Sequence, residues 1–371
     1  MLNTQDIKQT IRIRDCLGGY DVKRRVWQRN LSVITLIFGF MTSVVLLGTV
    51  RAQEKLMNLY TARHYATDEA FYSGFTKLTG IKLNRIEGGE DALFERIKAE
   101  GAASPADVFL TVDVARLWRA EQAGIFAPLK SELLAKRIPA HFRDPNGNWF
   151  GFSSRARVIA YDRSKVSPGD VARYEDLANP KWKREICTRP SSHPYNLSLI
   201  SSMILHLGEE KAREWARGVA TNLARPPRGG DTDQLAAVGV GECSIALSNH
   251  YYYVRLMRSP KPEDRALVQK VQVVWPNQND RGTHVNISGG GILKNAPHRD
   301  AAVKFLEYLA SDRAQALFAN GNNEWPVVKG IKLANPELEK FGQFRTDNLS
   351  LASLGKTQGA AQKLADLVGW K

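Results

Sequence analysis

After residue 52, short apolar segments alternate with segments whose apolar positions recur every three or four residues. The first pattern predicts strands and the second predicts amphipathic helices. The strands predicted near the start are Leu56–Thr61, Ile81–Ile86 and Val108–Thr111. The helices that follow them are Asp68–Leu78, Asp91–Glu100 and Ala115–Ala123, the last two closed by glycine. This alternation is typical of a mostly parallel sheet with helices packed on it.

Two extended runs divide the chain. The first is a long strand over Trp149–Tyr161, and the second covers Lys270–Trp275 and Asn286–Leu293. Between the runs we predict strands Glu185–Thr188 and Ser244–Leu247 and helices Tyr195–Leu207, Glu209–Val219 and Tyr251–Met257; helix Ala301–Ala310 follows them. The chain therefore reads as one lobe, a crossing, a second lobe and a crossing back.

The predicted fold is α/β: a two-lobed clamshell in which each lobe has a mixed, mostly parallel sheet flanked by helices. Two crossing strands form the hinge, and a cleft separates the lobes. Residues 53–155 and 282–330 would form the first lobe and residues 156–281 the second. Residues 331–371 would form a C-terminal helical tail that packs on the second lobe.

Residues 1–52 have the pattern of an export signal peptide or of an N-terminal membrane anchor. Arg24-Arg25 and other basic residues precede the uncharged apolar stretch 31–50, and small residues follow at 50–52. The stretch is also long enough to span a membrane. Both interpretations place the rest of the chain outside the cytoplasm, because positive charge stays on the cytoplasmic side. The arginine pair leaves both the general and the twin-arginine export routes open.

Charge and cysteines narrow the class of protein. The net charge is +14, yet no lysine- or arginine-rich run or nucleic-acid motif is present, so we expect a basic solvated surface and no nucleic-acid partner. Cys16 lies in the leader, and Cys187 and Cys243 could form a disulfide in an oxidising compartment or remain two buried thiols. Two cysteines and scattered histidines do not make a zinc pattern.

Three places carry tyrosines where a predicted strand ends and a helix begins. Tyr65 precedes a helix that Thr67 or Asp68 can cap. Tyr195 follows Pro194 and two serines that are capable caps, and Tyr251-Tyr252-Tyr253 follow Ser248-Asn249. In open α/β sheets ligands bind at this edge. Tyr251 and Tyr252 can reach one point only from a strand-to-helix turn, because on a strand they would face opposite ways.

Phenol oxygens at helix N-termini suit a hard cation. A free phenol has a pKa of about 10, but a bound trivalent ion favours the phenolate, which is an anionic oxygen donor suited to Fe³⁺. Core or rim aromatics with hydrogen-bonded hydroxyls remain the alternative for each tyrosine. His64 and His250 are either ligands or polar neighbours. Glu87, Glu90 and Asp91 are expected to cap a helix.

Seven segments together resemble the ferric-iron-binding periplasmic proteins of the FutA/FbpA type, which have the type II solute-binding fold. They are Asn58–Tyr65 (NLYTARHY), Ser104–Leu117 (SPADVFLTVDVARL), Arg155–Tyr161 (RARVIAY), Ser191–Leu199 (SSHPYNLSL), Ser248–Leu256 (SNHYYYVRL), Gly282–Leu293 (GTHVNISGGGIL) and Asn322–Val327 (NNEWPV). The segments extend over nearly all of the chain after the leader.

The resemblance implies a set of iron ligands and neighbours. The implied Fe³⁺ ligands are Tyr65, Tyr195, Tyr251 and Tyr252, with His64 ligating in some members of the family. Arg155 matches an arginine close to the metal, and Arg157 and Arg255 are weaker candidates for that neighbourhood. Tyr253 would be a packing residue. The implied partners are the permease and ATPase of an ABC importer, and the protein itself is expected to be a monomer.

Three other functions stay open at this point. The chain could bind another small solute in the same fold, or it could be a membrane-held protein that sequesters iron and protects against it. An enzyme with a tyrosine general base is a third possibility, but no nucleophile–base pair or cofactor motif supports it. A solute-binding protein that is not an enzyme is therefore the prediction.

Overall fold

The computed structural model describes residues 55–371. The predicted leader, its arginine pair and Cys16 lie outside the described residues. Among residues 55–371, no helix has both the length and the apolar composition that a membrane span requires.

The described residues form an α/β fold. The strands are β1 (Leu56–Thr61), β2 (Lys82–Glu87), β3 (Val108–Thr111), β4 (Phe150–Asp162), β5 (Ile186–Cys187), β6 (Ile245–Asn249), β7 (Val271–Val274), β8 (Val285–Ile292) and β9 (Trp325–Pro326). The α-helices are α1 (Glu69–Thr79), α2 (Glu90–Glu100), α3 (Val114–Gln122), α4 (Glu132–Arg137), α5 (Pro194–Leu207), α6 (Glu209–Thr221), α7 (Asp231–Val240), α8 (His250–Met257), α9 (Pro262–Lys270), α10 (Arg299–Leu309), α11 (Asp312–Asn322), α12 (Pro336–Glu339) and α13 (Leu351–Leu367). Every strand and helix predicted above is present, with small shifts at its ends.

The first three strands and their helices form a parallel unit. β1 pairs in parallel with β2 and with β3. Helix α1 buries Phe71 and Phe75, which its period places on one face, and both pack in the core that also contains Phe305 of α10. Because parallel strands end at one edge, the segment that follows β1 lies at the carboxyl edge of this unit.

Strand β4 connects two parts of the sheet. All 13 of its residues are buried, the charged Arg155, Arg157 and Asp162 among them. Its first half pairs with β8, from Phe150 to Ala156, and its second half pairs with β6 and β7, from Arg157 to Asp162. The resulting strand order is β2-β1-β3-β8-β4-β6-β5.

The sheet is mixed, as predicted, but parallel pairs are not the majority in it, so the expectation of mostly parallel pairing is wrong. Parallel pairs join β1 to β2, β1 to β3 and β5 to β6. Antiparallel pairs join β3 to β8 and join β4 to β6, β7, β8 and β9. The βα units are parallel as predicted, but β4 and β8 run back through the sheet and reverse its direction. The spacing of apolar residues indicates which positions are buried, but it does not indicate the direction in which a strand pairs.

The glycine run in β8 serves close packing between strands. A Cβ atom at Gly289 would lie 2.5 Å from the Phe150 carbonyl oxygen, and one at Gly290 would lie 2.6 Å from that of Phe109. Side chains there would therefore push β8 away from β4 and β3.

Two large apolar clusters lie along the sheet. Phe109 and Phe305 belong to the cluster around β1 and β3, and Trp215 belongs to the cluster around β5 and β6. The C-terminal helix α13 contributes to both clusters, with Leu354 in the first and Leu364 in the second.

Cys187 and Cys243 form a disulfide, with their Cα atoms 5.9 Å apart. Cys187 ends β5, and Cys243 stands just before β6, the parallel neighbour of β5. The alternative of two free thiols is thereby excluded for this structure. The bridge joins the segments that lead to Tyr195 and to Tyr251.

Candidate metal centre

Tyr65 lies in the segment that follows β1. Arg63 stabilises this segment: its guanidinium forms ion pairs with Asp68 at 2.8 Å and with Glu324 at 2.9 Å. The same guanidinium lies 5.3 Å from the centre of the Tyr65 ring. Asp68 therefore does not cap α1 with its side chain as predicted, because its carboxylate is occupied by Arg63.

Tyr195 occupies the second position of α5, directly after Pro194. The helix is capped by His193, whose Nδ1 accepts a hydrogen bond from the Tyr195 backbone N–H at 3.2 Å. The predicted serine cap is wrong, since Ser191 donates instead to the carbonyl of Trp370. Burial, together with nearby arginines that include Arg189, lowers the pKa of His193 to about 2, so its ring remains neutral and able to accept.

Tyr251 and Tyr252 lie in the first turn of α8. Strand β6 ends at Asn249 and the helix begins at His250, which is the strand-to-helix turn that two consecutive tyrosines need. The Tyr251 hydroxyl oxygen is 3.1 Å from that of Tyr195 and 3.3 Å from that of Tyr65. The Tyr252 ring lies 4.3 Å from the Tyr251 ring, centre to centre.

The two candidate histidines have different environments. His64 is exposed, and its Nδ1 lies 3.2 Å from the Ala62 carbonyl oxygen. His250 is fully buried: its Nδ1 accepts from the Ala156 N–H at 3.1 Å and its Nε2 donates to the Asn323 carbonyl at 2.9 Å. Both nitrogens of His250 are thus engaged, which leaves it a structural role at the start of α8.

The phenols of Tyr65, Tyr195 and Tyr251 are held in their neutral form when no cation is bound. Burial raises the pKa of Tyr65 to about 12, and the charge of Glu324 adds to this effect. Burial also raises the pKa of Tyr195 and of Tyr251 well above the ordinary value, and the positive charge of Arg155 opposes the rise for both. A cation placed among these oxygens would therefore have to displace protons.

Arg155 is the buried cation of this cluster. Its guanidinium lies 5.0 Å from the centre of the Tyr195 ring, and its Nη1 donates to Ser288 Oγ at 3.2 Å. Its Nη2 lies 3.9 Å from Asp113 Oδ2, beyond hydrogen-bond distance. Within residues 55–371, neither Nε nor Nη2 of Arg155 has a hydrogen-bond partner. Two nitrogens of this guanidinium therefore make no hydrogen bond within the described residues, although they lie near the tyrosines.

The other two predicted arginines lie on opposite sides of the cluster. Arg157 points into the protein, where it donates to Asp231 at 2.5 Å and to Asn196 at 2.8 Å. Arg255 is exposed, and its guanidinium lies 5.8 Å from the Tyr65 ring centre and 5.4 Å from that of Tyr252.

The acidic residues near α2 do not join the tyrosines. Glu90 accepts a hydrogen bond from the Val112 backbone N–H at 2.8 Å, and Asp91 pairs with Arg116 at 3.0 Å. Glu90 thus ties α2 to the end of β3 and does not cap the helix as expected. No group of three or more His, Cys, Asp or Glu side chains among the described residues is arranged to hold a metal ion. The tyrosine cluster is therefore the candidate metal centre.

Sequence reasoning missed two charged neighbours of the cluster. The Arg189 guanidinium lies 5.0 Å from the Tyr195 ring centre on the loop before α5. Glu324, fully buried, pairs with Arg63 and accepts from Ser153 Oγ at 3.2 Å. Arg189 lies just before the segment 191–199, and Glu324 lies in the segment 322–327. Their closeness in sequence to these family-like segments could have identified both residues.

Comparisons with known proteins identify the family of this chain. Residues 103–346 match the family described as bacterial extracellular solute-binding protein. The chain is 50% identical to iron uptake protein A1 of Synechocystis over 86% of its own length and 88% of that protein.

Solved structures give the same result. The structure of FutA from Trichodesmium in complex with iron and citrate matches with a TM-score of 0.81 and 55% identity over 85% of this chain and all of that one. A ferric binding protein from Campylobacter jejuni matches with a TM-score of 0.81 and 37% identity, over 85% of this chain and 100% of that one. The chain therefore belongs to the FutA/FbpA-type ferric-iron-binding proteins, a non-enzymatic family of periplasmic solute-binding proteins for iron uptake.

Proposed function

We propose that this protein captures Fe³⁺ with the phenolate oxygens of Tyr65, Tyr195, Tyr251 and Tyr252 and delivers it for import. The observation that supports this best is the convergence of three hydroxyls, since those of Tyr65 and Tyr195 lie 3.3 Å and 3.1 Å from that of Tyr251. The Tyr252 ring lies 4.3 Å from the Tyr251 ring, centre to centre and tilted by 33°, and its hydroxyl is the fourth donor that we propose.

The chemistry of the donors favours a hard trivalent cation. Phenolate oxygen is a hard donor, and no thiolate or carboxylate cluster competes within residues 55–371. Four phenolates would leave the ferric site with one negative charge, which the guanidinium of Arg155 offsets from beside Tyr195. Each phenol that binds iron loses its proton, so iron affinity falls as pH falls.

We propose a hinge and two lobes, with the bounds expected from the sequence. We assign residues 53–155 and 282–330 to one lobe and residues 156–281 to the other, with β4 and β8 as the crossing strands. Tyr65 then comes from the first lobe, and the other three tyrosines come from the second. Iron bound by both lobes would favour the closed arrangement, because only that arrangement brings all four oxygens to one metal ion.

Two further residues lie at the edge of the proposed site. His64 lies beside Tyr65, with ring centres 4.8 Å apart, and a turn of its exposed ring would let it complete the coordination. Arg255 contacts the rings of Tyr65 and Tyr252, so it would lie over the site on the solvent side.

The proposed partners are the permease and ATPase of an ABC importer, which the closed, iron-loaded form would dock on as a monomer in the periplasm. Solute-binding proteins of this family serve such transporters. The leader would either be removed on export or hold the protein at the membrane.

The test is the visible spectrum of the purified protein after ferric nitrilotriacetate is added at neutral pH. Tyrosinate bound to Fe³⁺ should give a charge-transfer band, and Tyr195→Phe or Tyr252→Phe should weaken or shift it. Tyr253→Phe is the matched control, because the Tyr253 hydroxyl donates to the Val271 carbonyl at 2.8 Å and takes no part in the cluster. The proposal fails if the unmodified protein gives no band.

A further inference from the structure

Asp231 is a buried carboxylate that none of the tyrosines contacts. It stands at the first position of α7 and is fully inaccessible to solvent. A buried charge is stable only when it is paired and hydrogen-bonded. The partners of Asp231 come from three separate segments of the chain, and each segment carries or adjoins part of the proposed iron site.

The first partner segment leads into α8. The backbone N–H of Asn249 donates to Asp231 Oδ2 at 2.7 Å. Asn249 is the last residue of β6 and the residue at which α8 begins to turn, two positions before Tyr251. Because this bond fixes the peptide between Ser248 and Asn249, it sets the direction in which Tyr251 and Tyr252 leave the strand.

The second partner is Arg157 on the crossing strand β4. Its Nη1 donates to Asp231 Oδ2 at 2.5 Å and to Asn249 Oδ1 at 3.1 Å. Its Nη2 donates to Asn196 Oδ1 at 2.8 Å, and Asn196 directly follows Tyr195. The carboxylate therefore orients a guanidinium that connects the start of α5 to the start of α8.

The third partner is the loop before α5. Arg189 Nη1 lies 3.4 Å from Asp231 Oδ1, while the Arg189 guanidinium covers the Tyr195 ring. The side-chain amide of Asn196 donates to the Arg189 carbonyl at 2.9 Å, which closes the network. None of these hydrogen bonds or ion pairs involves a hydroxyl of the three tyrosines Tyr65, Tyr195 and Tyr251.

We propose that Asp231 is a positioning residue of the iron site, which holds Tyr195, Tyr251 and Tyr252 at the spacing that one Fe³⁺ ion requires. This inference rests on the proposed function. Asp231 would act through Asn249, Arg157 and Arg189, and it would not touch the metal. A carboxylate is needed because one group has to accept from a backbone N–H and from two guanidinium groups at once.

The test compares Asp231→Asn with Asp162→Asn in the full chain. An asparagine at 231 keeps the volume but turns an NH₂ group towards a guanidinium, which breaks part of the network. Asp162 is the matched control: it is equally buried at the far end of β4, and among residues 55–371 its carboxylate accepts hydrogen bonds from Ser164 and forms an ion pair with Lys270 at 3.5 Å. The readouts are the position of the charge-transfer band, iron affinity by competition with nitrilotriacetate, and the melting temperature.

Asp231→Asn should weaken Fe³⁺ binding at least about tenfold relative to Asp162→Asn and shift the band, since outer partners of metal ligands typically have effects of this size. A smaller difference in affinity, with the band unmoved, would overturn the proposal, because both variants lose a buried carboxylate. Should Asp231→Asn fail to fold, the double variant Asp231→Asn with Arg157→Gln removes both charges of the pair and is judged by the same criterion.

The spectrum of the unmodified protein distinguishes a failure of this inference from a failure of the proposed function. If it gives no charge-transfer band with Fe³⁺, the proposed function fails. If it gives the band and Asp231→Asn retains both band and affinity, only the role of Asp231 fails.

Discussion

The hydroxyl oxygens of Tyr65 and Tyr251 are 3.3 Å apart, although 186 positions separate the two residues in the chain. Tyr65 follows β1 and Tyr251 follows β6, and these strands lie in the two parts of the sheet that β4 connects. Their rings meet nearly edge to face, with an interplanar angle of 79°. One pair of side chains thus joins the two halves of the proposed clamshell.

Tyr65→Phe should separate iron binding from closure. The three tyrosines of the second lobe would still bind Fe³⁺, but more weakly, and the bond that favours the closed form would be lost. We therefore expect small-angle scattering to show a decrease in radius of gyration on iron addition for the unmodified protein and little change for Tyr65→Phe. Iron would be titrated to saturation in both cases.

Tyr60→Phe is the control for this experiment, because the Tyr60 hydroxyl donates to Glu100 at 2.9 Å, away from the cluster. It should close on iron as the unmodified protein does. Equal contraction of Tyr65→Phe and Tyr60→Phe would mean that Tyr65 does not join the lobes.

Iron binding should release protons from the phenols. With the pKa of Tyr65 raised to about 12, this phenol is protonated at neutral pH, and burial has the same effect on the pKa of Tyr251. The free protein therefore holds protons that the iron-bound form lacks, so affinity rises with pH in this range. Tyr251→Phe should release about one proton fewer per bound iron than the unmodified protein. Titration in weakly buffered solution measures this number; an unchanged proton count would show that Tyr251 does not ligate as phenolate.

Arg155→Gln should make iron easier to release at acidic pH. The guanidinium lowers the pKa of Tyr195 and of Tyr251 against the effect of burial, so its removal makes both phenols harder to deprotonate. Protons then compete better with Fe³⁺, and the pH at which half of the iron is released should move upwards. The charge-transfer band followed during acid titration gives this midpoint. Arg119→Gln, on the surface with Asp91 and Glu95, should leave it unmoved.

Local pattern was sufficient to predict most elements of the fold. The spacing of Phe71 and Phe75 predicted α1, and an uninterrupted apolar run predicted β3. Helix α11 was missed although Ser311 caps it, with Oγ accepting from the Ala314 N–H at 3.3 Å. The pairing direction of β8 could not be predicted, because it depends on contacts with β3 and β4 that are distant in sequence.

The sequence was sufficient to predict which side chains form the candidate site, but not the contacts that hold them in place. Strand ends and capping residues predicted where Tyr195 and Tyr251 would stand. They did not predict that His193 would be the cap, because the imidazole accepts there only when burial keeps it neutral. The role of Asp231 could not be predicted from its neighbours in sequence. It depends on hydrogen bonds from Arg157 and Asn249, which only the fold brings close to it.

Removing the disulfide should destabilise the protein and leave the tyrosine cluster intact at moderate temperature. Cys187 and Cys243 close a segment with a sequence separation of 56 residues, and the chain-entropy relation for such a loop gives about 4 kcal/mol of stability. The double variant Cys187→Ala with Cys243→Ala should therefore unfold at lower denaturant concentration by roughly this free energy, as measured by circular dichroism. Its iron band at 25 °C should match that of the unmodified protein, because β5 and β6 remain paired through Ile186 and Ile245. Loss of the band without loss of folded structure would instead show that the bridge itself sets the distance between Tyr195 and Tyr251.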